Sequence, residues 1–229
     1  MRGLGRWLVV MFAFAIPLMA AAFNPSDVER LESGANDLRN ADLSGLSQLR
    51  RMNVSGVDFR GADLSNCRLW SVVFDGAKLD GAKLEKGSFH GAHFNQAVLK
   101  NANLKGAELT IAPCSGADFS GADLSGARLG NAVLSFANLK GARLSGADFT
   151  RARLHRADLT GADLGGAVFQ DADFDGAKVD IRWQGVLQGQ NVRNFDKIEW
   201  LQSAPVKPAD LARPKVDKEP LKPGVPVKK

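Results

Sequence analysis

The chain has 229 residues, 45% of them hydrophobic and 24% charged, which suits one cored domain with a tail and excludes a wholly disordered polymer. Three His, two Cys and no Tyr leave few groups for metal or acid–base chemistry. The formal charge of +5 belongs to the ends: residues 1–22 carry Arg2 and Arg6, residues 204–229 carry seven Lys/Arg against three acids, and residues 23–203 hold 21 basic and 22 acidic side chains. A near-neutral body argues against a basic nucleic-acid-binding body, so no nucleic-acid partner is expected, and it gives no support to a DNA-like acidic one.

Residues 1–22 read as a signal peptide. Arg2 and Arg6 form a short positive region, and Leu8 to Leu18 is an apolar run. Ala20-Ala21-Ala22 then offers a small-residue cleavage site, so the mature chain is expected to start at Phe23. The run is shorter than the roughly 20 residues of a membrane span. The expected location is the periplasm or the medium.

Residues 23–35 read as a short helical cap. Asn24-Pro25-Ser26 gives an N-cap with Pro in the first turn, and Gly34 gives a stop.

From about residue 36 to 181 the chain repeats every five residues. The centres run Leu64, Leu69, Phe74, Leu79 and onward to Phe174 and Val179 without an insertion. Ala stands two residues before the centre in 21 of these 24 units, the exceptions being Cys67, Val72 and Gly87. The consensus is A-[DN]-[LF]-x-G, as in GADLSGARLG at 121–130. Phe59, Val54 and Leu49 extend the register backwards, whereas Leu43 and Leu38 fit it only after a slip of one residue. A period of five matches neither the 3.6 of a helix nor the 2.0 of a strand. It suits a chain that turns a corner every five residues, with Ala packed near the corner and Leu or Phe filling the middle.

These motifs closely resemble the pentapeptide-repeat family, here as an exported bacterial member. The resemblance implies an all-β fold, a right-handed quadrilateral β-helix with four pentapeptides to a coil. Leu49 to Val179 would then make about seven coils. Taken every fourth unit, one face reads Leu64, Leu84, Leu104, Leu124, Leu144 and Leu164.

After Val179 the motif stops. Trp183, Val186, Leu187, Val192, Phe195, Ile198, Trp200 and Leu201 mark residues 182–203 as a C-terminal cap or dimerisation segment. Residues 204–229 hold six of the nine prolines with Lys throughout. This tail reads as disordered or polyproline-like, with weak contact to anionic surfaces.

No catalytic, cofactor or metal residues are assigned. Cys67 and Cys114 both point inward in this register and lie too far apart along the axis for a disulfide. His90 and His93 flank one corner, and His155 is about three coils away, so no metal ligand set converges. A surface stripe does stand out. Val73, His93, Pro113 and Val133 precede the centres of one face, Trp70, His90 and Ile111 lie at the adjoining corner, and Phe136 is nearby. Most units place polar residues there, so the stripe is a candidate partner surface.

The favoured function is a non-enzymatic exported scaffold presenting a rigid surface to an unidentified protein, with homodimerisation through the C-terminal segment as a further expectation. The family resemblance also implies an alternative, a DNA-mimicking protein that binds a type II topoisomerase (gyrase). A secreted effector is the third reading.

Overall fold

A computed structural model describes residues 23–47 and 51–202. The leader at 1–22, Leu49 and the tail at 204–229 lie outside the described residues.

Successive coils pair in parallel, twenty residues apart. Asp63 pairs with Lys83, Lys83 with Asn103, Asn103 with Asp123, Asp123 with Arg143 and Arg143 with Asp163. Each straight side contributes a single paired residue whose two backbone groups both reach the preceding coil, while the residues flanking it bond the following one. The Lys83 N–H donates to Ala62 O at 2.9 Å, while its carbonyl accepts from Leu64 N–H at 2.7 Å. The next coil repeats the arrangement with Asn103 and Asp123. Four sides make a coil. We call them A (centred on Leu64, Leu84 and their successors), B (Leu69, Phe89), C (Phe74, Phe94) and D (Leu79, Leu99).

Each corner is a tight turn. Ala77 N–H donates to Phe74 O at 2.9 Å, and Gly76 between them has φ +66°. A positive φ at the second turn residue is the type II geometry, for which Gly and Asn are the favoured residues. It recurs at every fifth residue from Gly61 to Gly176.

The inside is what the repeat pattern dictates. The six leucines of side A are buried, as are the alanines beside them. Phenylalanines cluster towards the two ends. Phe74 and Phe94 stack at 5.0 Å with Phe89 edge-on to both, and Phe149 stacks on Phe169 at 5.0 Å with Phe174 edge-on. Leucines fill most of the middle, with Cys114 and Phe119 among them.

The first coil is paired one residue out of step. Asp37 pairs with Asp58 and Asp42 with Asp63, a separation of 21 rather than 20. Leu38 and Leu43 are nonetheless fully buried. The extra residue is taken up between Leu46, whose carbonyl accepts from Arg68 N–H, and Asn53, which pairs with Val73.

An open β-helix leaves unpaired backbone groups on its terminal coils, and side chains occupy them here. Helix α1 (Pro25–Glu32) is capped by the Asn24 side chain, which accepts from Ser26 N–H, and it buries Leu31. Its Asp27 is buried and accepts from Asp42 N–H at 3.0 Å. Its Arg30 pairs with Asp27 at 2.8 Å and reaches the Asp37 carbonyl.

At the other end the pairing does not stop at 181. Strand β1 (Lys178–Asp180) pairs in parallel with β2 (Glu199–Leu201), and Asp173 pairs with Arg193. Arg193 and β2 therefore carry the ladder one further step on sides C and D. Between β1 and β2 lie a 3₁₀ turn (Ile181–Trp183), helix α2 (Gln184–Gln188) and a second 3₁₀ turn (Phe195–Lys197). Where this path leaves the coil, side chains substitute for its backbone. Gln190 accepts from Phe169 N–H at 2.6 Å and donates to Ala167 O at 3.0 Å. Asp180 is fully buried and accepts from Gly161 N–H at 3.1 Å, while Arg182 and Trp183 both donate to Ala162 O. Asp180 also pairs with Arg182 at 3.3 Å.

Several aspartates of the ladder share one device on its outer face. Asp63, Asp118 and Asp158 each accept from the backbone N–H two residues on, at Ser65, Ser120 and Thr160. Burial pushes these carboxyls up. The hydrogen bonds from those residues, with Lys83, Lys100 and Lys140 beside them, outweigh it and hold all three below the usual carboxylate range.

Two predictions follow from the ladder. Leu104→Ala should lower global stability by about 2–5 kcal/mol, because the coils above and below hold the cavity open. Asp180→Ala should fray the last coil first, with a loss of about 1.5–3 kcal/mol. Amide exchange would separate them: Leu104→Ala should speed exchange throughout, Asp180→Ala chiefly at Gly161 and its neighbours. The carboxyls give a third. Depressed folded values mean their stabilisation is complete above about pH 4 and lost as pH falls through the folded values. The thermal midpoint should therefore drop below about pH 4, and Asp118→Asn should flatten that drop while lowering the midpoint at pH 7.

Candidate interaction face

The eight residues singled out from the sequence all fall on side C and its two corners. Val73, His93, Pro113 and Val133 form one outward column, half-buried by their neighbours, with Val73 paired to His93 and Pro113 to Val133. Pro113 has no N–H, so Ala92 O lacks the ladder bond that Ala112 O receives from Val133 N–H.

Trp70, His90 and Ile111 lie at the corner between sides B and C. The Trp70 indole N–H donates to Ser88 Oγ at 2.9 Å, and the Ser88 hydroxyl in turn meets Glu108 Oε2 at 3.3 Å. Glu108 also lies 4.0 Å from His90 Nδ1. Ile111 is 49% exposed and lies over Gly91 of the preceding coil, its Cδ1 3.8 Å from where a Cβ on that glycine would stand.

Phe136 sits at the opposite corner of the same side, between C and D, and is 57% exposed. Its ring meets His155 edge-on at 5.4 Å, and the Arg156 guanidinium lies over it at 5.9 Å.

Corner chemistry separates side C from the others. Among the corners from Gly61 to Gly176, seven residues other than Gly, Asn or Asp hold a positive φ: Ser71, Lys86, Gln96, Ile111, Phe136, Arg151 and Arg156. All but Lys86 flank side C. A left-handed backbone costs an ordinary L-residue about 1–2 kcal/mol, and a β-branched one such as Ile111, at φ +57°, is a genuine outlier. Such strain gathers at functional positions when the surrounding structure can hold it. Counting the corners side by side along the sequence would have shown this. Stepping twenty residues on from Val133 would likewise have added Arg153, with Arg151, His155 and Arg156 around it.

The cysteines belong to the core. Cys67 is buried at an alanine position and its thiol donates to Leu43 O at 2.9 Å; Cys114 is buried at a centre of side C. Both are free thiols. Burial pushes the Cys67 thiol up to about 12 and raises Cys114 as well, so neither is a nucleophile at neutral pH. Among the described residues no cluster of three or more His, Cys, Asp or Glu is placed to hold a metal ion.

The family model for pentapeptide repeats matches in eight copies, over residues 53–91, 77–110, 112–151 and 152–180. The chain belongs to the pentapeptide-repeat family, and its coil is the right-handed quadrilateral β-helix of that family. Members are typically structural or interaction proteins rather than enzymes. No curated protein matches the chain. Several solved structures do. One is a pentapeptide repeat protein from the Arabidopsis thaliana thylakoid lumen, 28% identical over 51% of this chain and 77% of that one, with a TM-score of 0.37. QnrB1, a plasmid-mediated fluoroquinolone resistance protein, is 21% identical over 58% of this chain and 75% of its own, with a TM-score of 0.37. HetL, a pentapeptide repeat protein involved in heterocyst differentiation regulation from the cyanobacterium Nostoc sp., is 25% identical over 66% of this chain and 94% of its own, with a TM-score of 0.25.

The strain at Ile111 yields a prediction. Ile111→Gly should raise stability by about 1 kcal/mol, since Gly adopts positive φ without a Cβ clash. Denaturant unfolding of the two proteins would show it; a fall in the midpoint would mean that the contact over Gly91 outweighs the strain.

Proposed function

We propose that the mature chain is an exported, non-enzymatic scaffold that binds another protein through side C. The observation that carries this reading is the gathering of costly left-handed corners on the same side as Trp70, Ile111 and Phe136. Corners elsewhere use Gly, Asn or Asp nearly throughout, so the bulky side chains on this side are retained against local stability. The leader at 1–22 supports export, with Phe23 as the mature start. The C-terminal segment covers its own coil end with Leu187 and Ile198 buried, so homodimerisation through it would use the exposed Val186, with the exposed Ile181 just before the segment.

The test joins two measurements on the producing cell. Fractionation with N-terminal sequencing should recover a chain starting at Phe23 outside the cytoplasm. A photo-cross-linking residue at Val133 should give discrete protein adducts, and one at Asp123 on side A should not. An intact Met1 in the cytoplasm would overturn export and make gyrase inhibition the assay to run. Equal adducts from both sides, or none from Val133, would overturn the binding face.

A further inference from the structure

Resting on that reading, we propose that the partner of side C is an extended acidic peptide segment with apolar residues interspersed. Two observations point to this chemistry. The first is charge. From Trp70 to Arg156, side C and its corners hold three arginines and all three histidines of the chain, and a single acid, Asp75. That carboxylate already accepts from Asn95 N–H at 2.8 Å.

The second is what the neighbouring coil does. Arg151, Arg153 and Arg156 are exposed and stand twenty residues from Asp171, Asp173 and Gly176, where ion pairs with the acids would be natural. The C-terminal segment occupies those acids instead. Asn191 donates to Asp171 at 2.8 Å, and Asn194 donates to Asp173 at 2.6 Å with Arg193 at 3.6 Å. Asp175 meets His155 at 3.2 Å and Lys197 at 3.5 Å. The three arginines make no ion pair among the described residues. Elsewhere, cross-coil pairs such as Lys83–Asp63, Lys140–Asp158 and Arg143–Asp123 are made.

Side C thus presents an apolar column that ends in a cationic band, with Phe136 at the junction under Arg156. From Val73 to Arg153 is four coil steps, about 19 Å at strand spacing, or about six residues of extended chain. A peptide of that length can alternate apolar side chains for the column with carboxylates for the arginines. Carboxylates suit the guanidinium fork, and charges at the edge of such a surface steer association.

The test uses the purified full chain against a displayed library of random dodecapeptides, with heparin and anionic phospholipid vesicles as separate probes. Selected peptides should be rich in Asp or Glu alternating with Phe, Leu or Val. Their binding should fall about tenfold or more in the Arg151→Gln/Arg153→Gln/Arg156→Gln protein and weaken with added salt. An Ile111→Gly/Phe136→Ser protein should lose the same peptides, and circular dichroism would confirm that both variants are folded. Selection of neutral or basic peptides that need Ile111 and Phe136 but not the arginines would overturn the acidic partner and leave the binding face standing. Selection of no peptide dependent on either set would overturn this proposal. Heparin or vesicles bound through the arginines more tightly than any peptide would also overturn it, in favour of a polyanionic sugar or a membrane.

Discussion

The whole molecule depends on one backbone constraint: the second residue of every corner lies in the left-handed region. That conformation turns the chain at each corner within five residues and leaves the next N–H and C=O directed at the neighbouring coils. Once it is met, the rest follows. The ladder bonds of Lys83 to Ala62 and Leu64 repeat at each side, and centres and alanines are turned inward wherever the register holds. Glycine dominates the corners because it enters this region without the Cβ clash that other residues suffer.

The same constraint explains why the two ends need special chemistry. A coil satisfies its neighbour with backbone groups, so the outermost coil must find substitutes for them. At both ends the substitutes include a carboxylate with an arginine a few residues on, joined at the C-terminal end by Gln190 and Trp183. Asp27 with Arg30 serves Asp42 N–H and Asp37 O, and Asp180 with Arg182 serves Gly161 N–H and Ala162 O. Asp27 and Asp180 are the buried carboxylates among the described residues, and each stands where a coil beyond would have supplied a carbonyl. Closing both edges in this way removes the template that would let one rod pair end to end with another.

The parts of the structure legible in the sequence are those that repeat. Leu64 to Val179 declare the coil because each position is restated many times, and the off-step behaviour of Leu38 and Leu43 is visible for the same reason. The inward placement of Cys67 and Cys114 follows directly from the register. What occurs once is hard to read. Asp27 and Asp180 look like any surface acid, since nothing local marks them as stand-ins for a missing backbone. The motif fails after Val179, so the pairing of Asp173 with Arg193 and of β1 with β2 is hidden behind a change of side-chain pattern that the backbone survives. The candidate face lies between these cases. Its hydrophobic column shows as departures from the consensus, but the arginine coil beyond Val133 shows only when residues are grouped by twenty rather than by five.

Rigidity gives the strained corners of side C their meaning. A left-handed Ile or Phe in a loop would relax to a better backbone conformation. At Ile111 and Phe136 the ladder grips both flanks: Ile111 N–H donates to Gly130 O at 2.9 Å, Phe136 N–H donates to His155 O at 2.8 Å, and the flanking alanines are buried. The strain therefore stays, and with it the direction in which each side chain leaves the corner. A surface fixed in this way loses little conformational freedom when a partner arrives, so more of the contact energy is left for affinity. A repeat protein made almost wholly of one motif can acquire specificity by this route without a pocket or an inserted loop, by changing side chains only on the side that meets its partner.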